Sequence, residues 1–284
     1  MAETTLTTKP QQEEVLILRP SHGWSALNLR DLWKYRELIY FLTWRDIKVR
    51  YKQTILGAAW AVIQPLVNMV VLTIIFGRLA NMSTEGIPRP IFTFTALLPW
   101  GLFSKALSDA GRSMLSNRSM ITKIYFPRLI IPLSSVMSGV VDFAIQFGVL
   151  LGMMVFYRFA PTINIWTLPF FLLLSLVTAL GFGLWLSALN VLYRDVGYIL
   201  PFLTQLWLLL TPVAYSASEV PAKWQLIYAL NPMVGVVEGF RWALLGTATA
   251  PGPMLIVSTA ISVLLLISGM YYFRRMERTF ADMV

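Results

Sequence analysis

Residues 34–77 read KYRELIYFLTWRDIKVRYKQTILGAAWAVIQPLVNMVVLTIIFG, a charged and aromatic half running straight into an apolar one. In the first half Lys34, Glu37, Phe41, Arg45, Lys48 and Lys52 follow steps of three and four and share one stripe of a helix. The remaining arc holds Tyr35, Leu38, Ile39, Leu42 and Val49, and Trp33, Tyr40, Trp44 and Ile47 continue it past Arg36 and Arg50. A helix basic along one side and aromatic along the other lies in a membrane interface. The alternative, a soluble helix packed on a core, sits poorly beside the apolar run that follows.

Composition points the same way. Apolar residues make up 57% of the 284 and charged residues 13%, the balance of a polytopic membrane protein. The first fifty residues hold no unbroken apolar stretch, so no cleaved signal peptide is expected. Zero cysteines exclude disulfides, thiolate catalysis and cysteine metal sites, and the single His22 builds no metal site alone.

Six segments are apolar enough to cross a hydrocarbon core about 30 Å thick: Ile55 to Gly77, Ile91 to Leu107, Leu129 to Tyr157, Trp166 to Leu192, Tyr198 to Tyr215 and Met254 to Phe273. Between the last two lies an apolar stretch broken by Asn231-Pro232 and carrying Glu238 and Arg241, which read as a structural ion pair in preference to a substrate site. With the N-terminus in the cytoplasm and six crossings, 18 of the 23 Lys and Arg fall inside, the pattern that the positive-inside rule favours. A seventh crossing would put Arg274, Arg275 and Arg278 outside. Residues 223–245 are therefore expected to form a re-entrant hairpin, turning at Pro232 and sheltered by protein or water. The expected fold is all-α and polytopic. A tail (1–30) and an amphipathic helix (31–52) lead into a six-helix membrane domain (53–273), and a second tail (274–284) leaves both termini cytoplasmic.

The net charge of +9 follows this topology rather than a nucleic-acid groove, and basic residues at the interface also suit anionic lipid phosphates. No Gly-x-x-x-x-Gly-Lys-Ser/Thr loop is present, so the chain does not cradle a nucleotide by that route and ATP hydrolysis belongs to another subunit. Asp142 is the one acid near the middle of a span. It reads either as a bond to a neighbouring helix or as a proton-relay residue. Trp100, Trp166, Tyr215, Trp224, Tyr228 and Trp242 fall near the outer boundary or in the hairpin, and Trp60, Trp185 and Trp207 lie within or toward the ends of spans. Such residues anchor helices at headgroups, and their faces also stack on sugar rings. Gly148-x-x-x-Gly152 and Gly235-x-x-x-Gly239 permit close helix contact.

Several motifs carry a family resemblance. The run from Trp44-Arg45-Asp46 through Arg50-Tyr51, Leu56-Gly57 and Trp60 to Gln64-Pro65 resembles the start of the first span in membrane subunits of ABC exporters for polysaccharides. So do Leu97-Leu98-Pro99-Trp100, Tyr125-Phe126-Pro127-Arg128, Leu189-Asn190 with Tyr193-Arg194-Asp195, Thr211-Pro212 with Tyr215, and Tyr228 with Asn231-Pro232, in order along nine tenths of the chain.

The resemblance implies an O-antigen, capsule or, less well matched, teichoic-acid export permease of the bacterial cytoplasmic membrane. Such a permease is a homodimer paired with two ATPase subunits that hold the ATP and Mg, and it binds no cofactor itself. Its cargo is a glycan linked to undecaprenyl diphosphate. By the same resemblance the helix from Leu32 to Tyr51 is a cytoplasmic gate helix, with Arg45, Lys48 and Arg50 meeting either the lipid diphosphate or ordinary headgroups. Arg112, Arg118, Lys123, Arg128, Arg194 and Asp195 fall where the ATPase couples. Trp60, Trp100, Trp185, Trp207, Tyr215, Trp224, Tyr228 and Trp242 are candidates for the glycan path. A drug- or lipid-exporting ABC permease would share the spans without needing this aromatic complement, and a membrane enzyme would need acid or His clusters that the sequence lacks.

Overall fold

In the computed structural model, residues 29–52, 57–79, 82–193, 195–247, 252–277 and 280 are described. Residues 1–28 with His22, Arg194, Arg278 and the extreme C-terminus lie outside the described residues. The described chain is helical: α1 Leu29–Lys34, α2 Arg36–Lys52, α3 Gly57–Ile74, α4 Arg89–Ser116, α5 Arg118–Ile121, α6 Ile130–Phe156, α7 Leu168–Leu192, α8 Val196–Leu209, α9 Ala222–Tyr228, α10 Pro232–Leu245 and α11 Pro253–Glu277.

Helices α3, α4, α6, α7 and α11 are long and apolar enough to cross a membrane, and each falls on an expected span. Helix α4 is the axis, packed chiefly on α6 and α7, and α7 packs in turn on α11. Small residues let these helices close up. A Cβ on Gly183 would lie 2.6 Å from that of Ala110, and one on Gly181 would lie 2.7 Å from the Leu266 backbone nitrogen. Lipid gives helices little hydrophobic reason to associate, so such close approach and interhelical hydrogen bonds hold the bundle. Asn190 Nδ2 donates to Gly111 O at 2.9 Å, and the Thr178 and Ser262 hydroxyls meet at 2.8 Å.

Of the two glycine pairs noted in the sequence, Gly235 and Gly239 are in tight contact, with Ser258 and the Phe171 ring, whereas Gly148 and Gly152 face open space. Gly181→Ala is therefore expected to lower stability by about 1–3 kcal/mol through overpacking. Gly148→Ala should be near neutral within the protomer, a contrast that paired thermal-unfolding curves in detergent would reveal.

Three boundaries differ from expectation. The span expected over 198–215 is helical only through α8, 14 residues or about 21 Å, short of the apolar core. Its continuation turns because neighbours take its carbonyls: Asn231 Nδ2 donates to Leu210 O at 3.0 Å, and Arg241 donates to Val213 O at 2.7 Å and Tyr215 O at 2.8 Å. Helix α4 runs on to Ser116 and contains Arg112, and α11 runs on to Glu277 and contains Arg274 and Arg275.

The two ends of the bundle are distinct. Leu42 of α2, Met114 at the end of α4, Ile121, Phe126, Ile130, Val191 and Phe273 form one apolar cluster, so α2, the turns that follow α4 and α7, and the last part of α11 meet at one end. At the other end the Ser216 hydroxyl donates to Glu85 at 2.8 Å and the Thr162 hydroxyl donates to Ala243 O at 2.7 Å. The segment 216–243 thus begins and finishes at that same end, beside the loops that hold Glu85 and Thr162. Asn231 caps α10 by accepting from Met233 N at 3.1 Å, with Pro232 in the first turn. Gly246, at φ +67°, closes α10 in the left-handed conformation. Most of α10 is buried within the protomer.

Candidate functional site

Helix α2 runs parallel to α6: the Thr43 hydroxyl reaches Ser134 O at 3.4 Å, and eight residues further along α6 Arg50 meets Asp142. Leu42 is buried, while Trp33, Tyr40, Phe41 and Trp44 stay exposed on the far side. The helix that the sequence marks as interfacial is thus anchored lengthwise on a span, and Arg50, which interrupts its apolar arc, points inward.

There Arg50 joins a charged seam. Its guanidinium lies 2.7 Å from Asp142, 2.9 Å from Asp109 and 3.3 Å from the Ser138 hydroxyl. Lys105 Nζ stands 3.6 Å from Asp142, and the Tyr51 hydroxyl hydrogen-bonds its other oxygen. Two cations face two carboxylates. That balance makes charge at membrane depth tolerable. Asp142 therefore bonds to neighbouring helices, the first of its two sequence readings. Lys105 and Asp109 escaped the sequence reading, although their spacing of four places them on one face of α4. Tyr51 entered the sequence reading only within the motif that carries the resemblance, with no role of its own.

Two cavities flank the seam. One of about 490 Å³ lies between α3, α4, α6 and α8, and is lined by Trp60, Gln64, Asn68, Trp100, Lys105 and Gln146 among others. Trp60, Gln64 and Asn68 recur every four residues on one face of α3, a polar stripe inside a span that the sequence reading passed over. The other, about 570 Å³, opens on the opposite side of Arg50 and is lined by Arg45, Asp109, Arg112, Ser116, Asn117 and Ser138 among others.

The remaining candidates separate by environment. Arg45 bonds Asp46 at 2.8 Å and Asn117 at 2.7 Å, whereas Lys48 sits over the Trp44 ring at 5.3 Å on the outer side of α2. Arg112 donates to Gly197 O at 3.1 Å. Arg118 and Lys123 are exposed beside Ile124 and Tyr125, and Arg128 is tied to the Glu277 carbonyl. Asp195 is exposed at the start of α8.

Among the aromatics, Trp60 and Trp100 line the membrane cavity. Trp185 stacks on Tyr272 at 4.2 Å, and Trp207 sits edge-on to Phe103 and Phe182 while donating to Asn231 at 2.9 Å. Tyr215 and Tyr228 pair through their hydroxyls at 2.7 Å. Trp224 is exposed with Lys223 over its ring, and Trp242 packs half-buried on the core. Among the described residues no group of three or more His, Cys, Asp or Glu side chains is placed to hold a metal ion.

The family pattern described as ABC-2 type transporter matches residues 37–245, from the first turn of α2 to the end of α10. The chain belongs to the ABC-2 type transporter family. This ABC-2 protein is 29% identical over 259 residues to the O-antigen export system permease protein RfbA of Myxococcus xanthus, covering 90% of this chain and 98% of that one. It is 26% identical over 250 residues to the protein of the same name from Klebsiella pneumoniae, covering 87% and 95%. The polysialic acid transport protein KpsM of Escherichia coli is 21% identical over 238 residues, covering 82% and 91%.

Proposed function

We propose that the chain is the permease subunit of an ATP-driven exporter that moves an undecaprenyl-diphosphate-linked polysaccharide, an O-antigen or capsule, out of the cytoplasm. It works as a homodimer with two copies of a separate ATPase, which carries the ATP and Mg. The observation that carries this reading is the polar cavity beside α3. Gln64 and Asn68 are exposed on a spanning helix almost none of which is buried within the protomer. An amide left in hydrocarbon costs roughly 2–7 kcal/mol, so that face needs water, sugar hydroxyls or a second copy against it. Indole and amide side chains together suit a glycan, the indoles stacking on ring faces and the amides bonding hydroxyls.

The names carried by the relatives support a polysaccharide as cargo. The gathering of Arg112, Arg118, Lys123 and Arg128 toward the inner end supports a cytoplasmic location for that end and for both termini. The exposed turn around Tyr125 is the surface offered to the ATPase. The segment 223–245 closes the outer end as a re-entrant hairpin.

Coexpression of this chain with the ATPase encoded beside it provides the test. The expected result is a two-plus-two complex whose ATP hydrolysis depends on the permease, with glycan reaching the cell surface only when both are present. A chain that purifies alone and leaves hydrolysis unchanged would overturn the reading, and would turn attention to an ion-coupled carrier with Asp142 as its first residue to replace.

A further inference from the structure

Helix α11 begins after the last residue of the family pattern, yet it is bonded toward both ends of the bundle. At one end the Arg128 backbone N–H donates to a Glu277 side-chain oxygen at 3.2 Å, the Arg128 guanidinium donates to the Glu277 carbonyl, and Arg274 holds the other Glu277 oxygen at 2.7 Å. Phe273, fully buried, lies in the same apolar cluster as Ile121, Phe126 and Leu129. Glu277 thus fastens the last turn of α11 to the base of the exposed turn that carries Ile124 and Tyr125.

Toward the other end one hydroxyl makes the join. Ser258 Oγ, fully buried, accepts from Gly235 N at 3.2 Å and donates to Ala229 O at 3.1 Å. It binds α11 both to the residue after α9 and to the first turn of α10. A Cβ on Gly235 would stand 2.6 Å from that of Ser258, so glycine is what admits this approach. The two joints lie about 28 Å apart along the helix, and no proline interrupts α11 between them. Its flank is keyed to α7 throughout: Ser262 meets Thr178, a Cβ on Gly269 would collide with Gly181 O, and Trp185 donates to Ser268 at 3.1 Å while stacking on Tyr272. An unbroken helix packed this closely passes a displacement along its length, because close-packed contacts compress little.

We propose that α11 is a rod that carries movement of the turn at 118–128 to the segment 216–243, and that Glu277 is the positioning residue joining rod to turn. That the ATPase is what moves the turn rests on the export reading; the link between the two ends does not. Glu277 acts only through the turn it holds.

Hydrogen exchange of the full chain in nanodiscs, without the ATPase, tests the link. Glu277→Ala is expected to speed exchange at 229–236 by at least about threefold as well as at 128–131, and Ser258→Ala to reach 128–131 as well as 229–236, since coupling between two sites is reciprocal. Sites this far apart ordinarily act independently, so side chains with local structural roles would each loosen their own end. Glu277→Gln, which keeps an oxygen to accept from Arg128, is expected to retain most of the protection. Asn190→Ala, which removes a bond between α7 and α4, is expected to leave 229–236 unchanged. Equal loosening of 229–236 by Asn190→Ala, or confinement of each effect to its own end, would overturn the rod. With the ATPase bound, a non-hydrolysable ATP analogue is expected to change exchange at 229–236 severalfold in the parent and not in Glu277→Ala. An unmoved parent, or a response that survives Glu277→Ala, would overturn α11 as the route of the drive. An ATPase that fails to bind would overturn the export reading instead, and the exchange measured without it would still decide the link.

Discussion

Arg241→Met is expected to destabilise the protein by about 3–5 kcal/mol, the cost of leaving a buried charge unpaired, and to lower its melting temperature in detergent accordingly. Arg241 is fully buried in α10. Its guanidinium lies 2.9 Å from Glu238, donates to Val213 O and Tyr215 O, and rests 3.7 Å above the Phe92 ring of α4. One side chain thus ties α10 to α4 and to the turn after α8. Methionine fills much of the volume but satisfies neither carbonyl and, among the described residues, leaves the Glu238 carboxylate with the Ala217 N–H, at 3.1 Å. Adding Glu238→Gln should recover part of the loss by removing the stranded charge, but not all of it, because the two carbonyls stay bare. Size-exclusion of heated samples of the three proteins would show the order. An Arg241→Met protein as stable as the parent would remove this side chain as the brace between α10, α4 and the turn after α8.

Wherever a local pattern decides the structure, the sequence was readable. The long spans needed only their own apolar length, and the turn at Asn231-Pro232 announces itself because a capping side chain followed by a proline at the first helical position is a local signal. What stayed hidden depends on partners far along the chain. The shortening of α8 is caused by Asn231 and Arg241, 20 or more residues away, capturing carbonyls that a longer helix would have kept. Asp142 read as solitary since Arg50 lies 92 residues before it, and no spacing rule links an acid in one span to a base on another helix. The basic stripe of α2 was legible. The inward turn of Arg50 was not, because periodicity places a residue on a face without saying what that face meets. The glycines divide likewise: Gly181 and Gly269 approach across α7 and α11 with no motif to mark them, while the motif at Gly148 and Gly152 meets nothing in the protomer.

A double change of Ile124→Ala and Tyr125→Ala is expected to weaken association with the ATPase at least about thirtyfold, taking roughly 2 kcal/mol for an aromatic anchor, with export falling in parallel. The sequence drew attention to the charges of this segment, but the structure gives its apolar residues a stronger claim. Phe126 is buried in the apolar cluster with Leu42 and Phe273, and Arg128 is tied to Glu277, so the turn is held firmly at its base. Beyond that base Ile124 is 60% and Tyr125 73% exposed, with Arg118 and Lys123 beside them. A rigid support carrying exposed aliphatic and aromatic side chains inside a basic rim has the anatomy of a protein interface. The rim should govern how fast the partners meet, and the centre how long they stay. Arg118→Glu with Lys123→Glu is therefore expected to slow association and flatten its salt dependence, because the attraction that salt screens is gone, while the alanine pair speeds dissociation. Surface plasmon resonance of the ATPase over nanodisc-held permease separates the two effects. If the alanine pair left the dissociation rate unchanged, the coupling surface would have to be sought elsewhere, beginning with Asp195 and the start of α8.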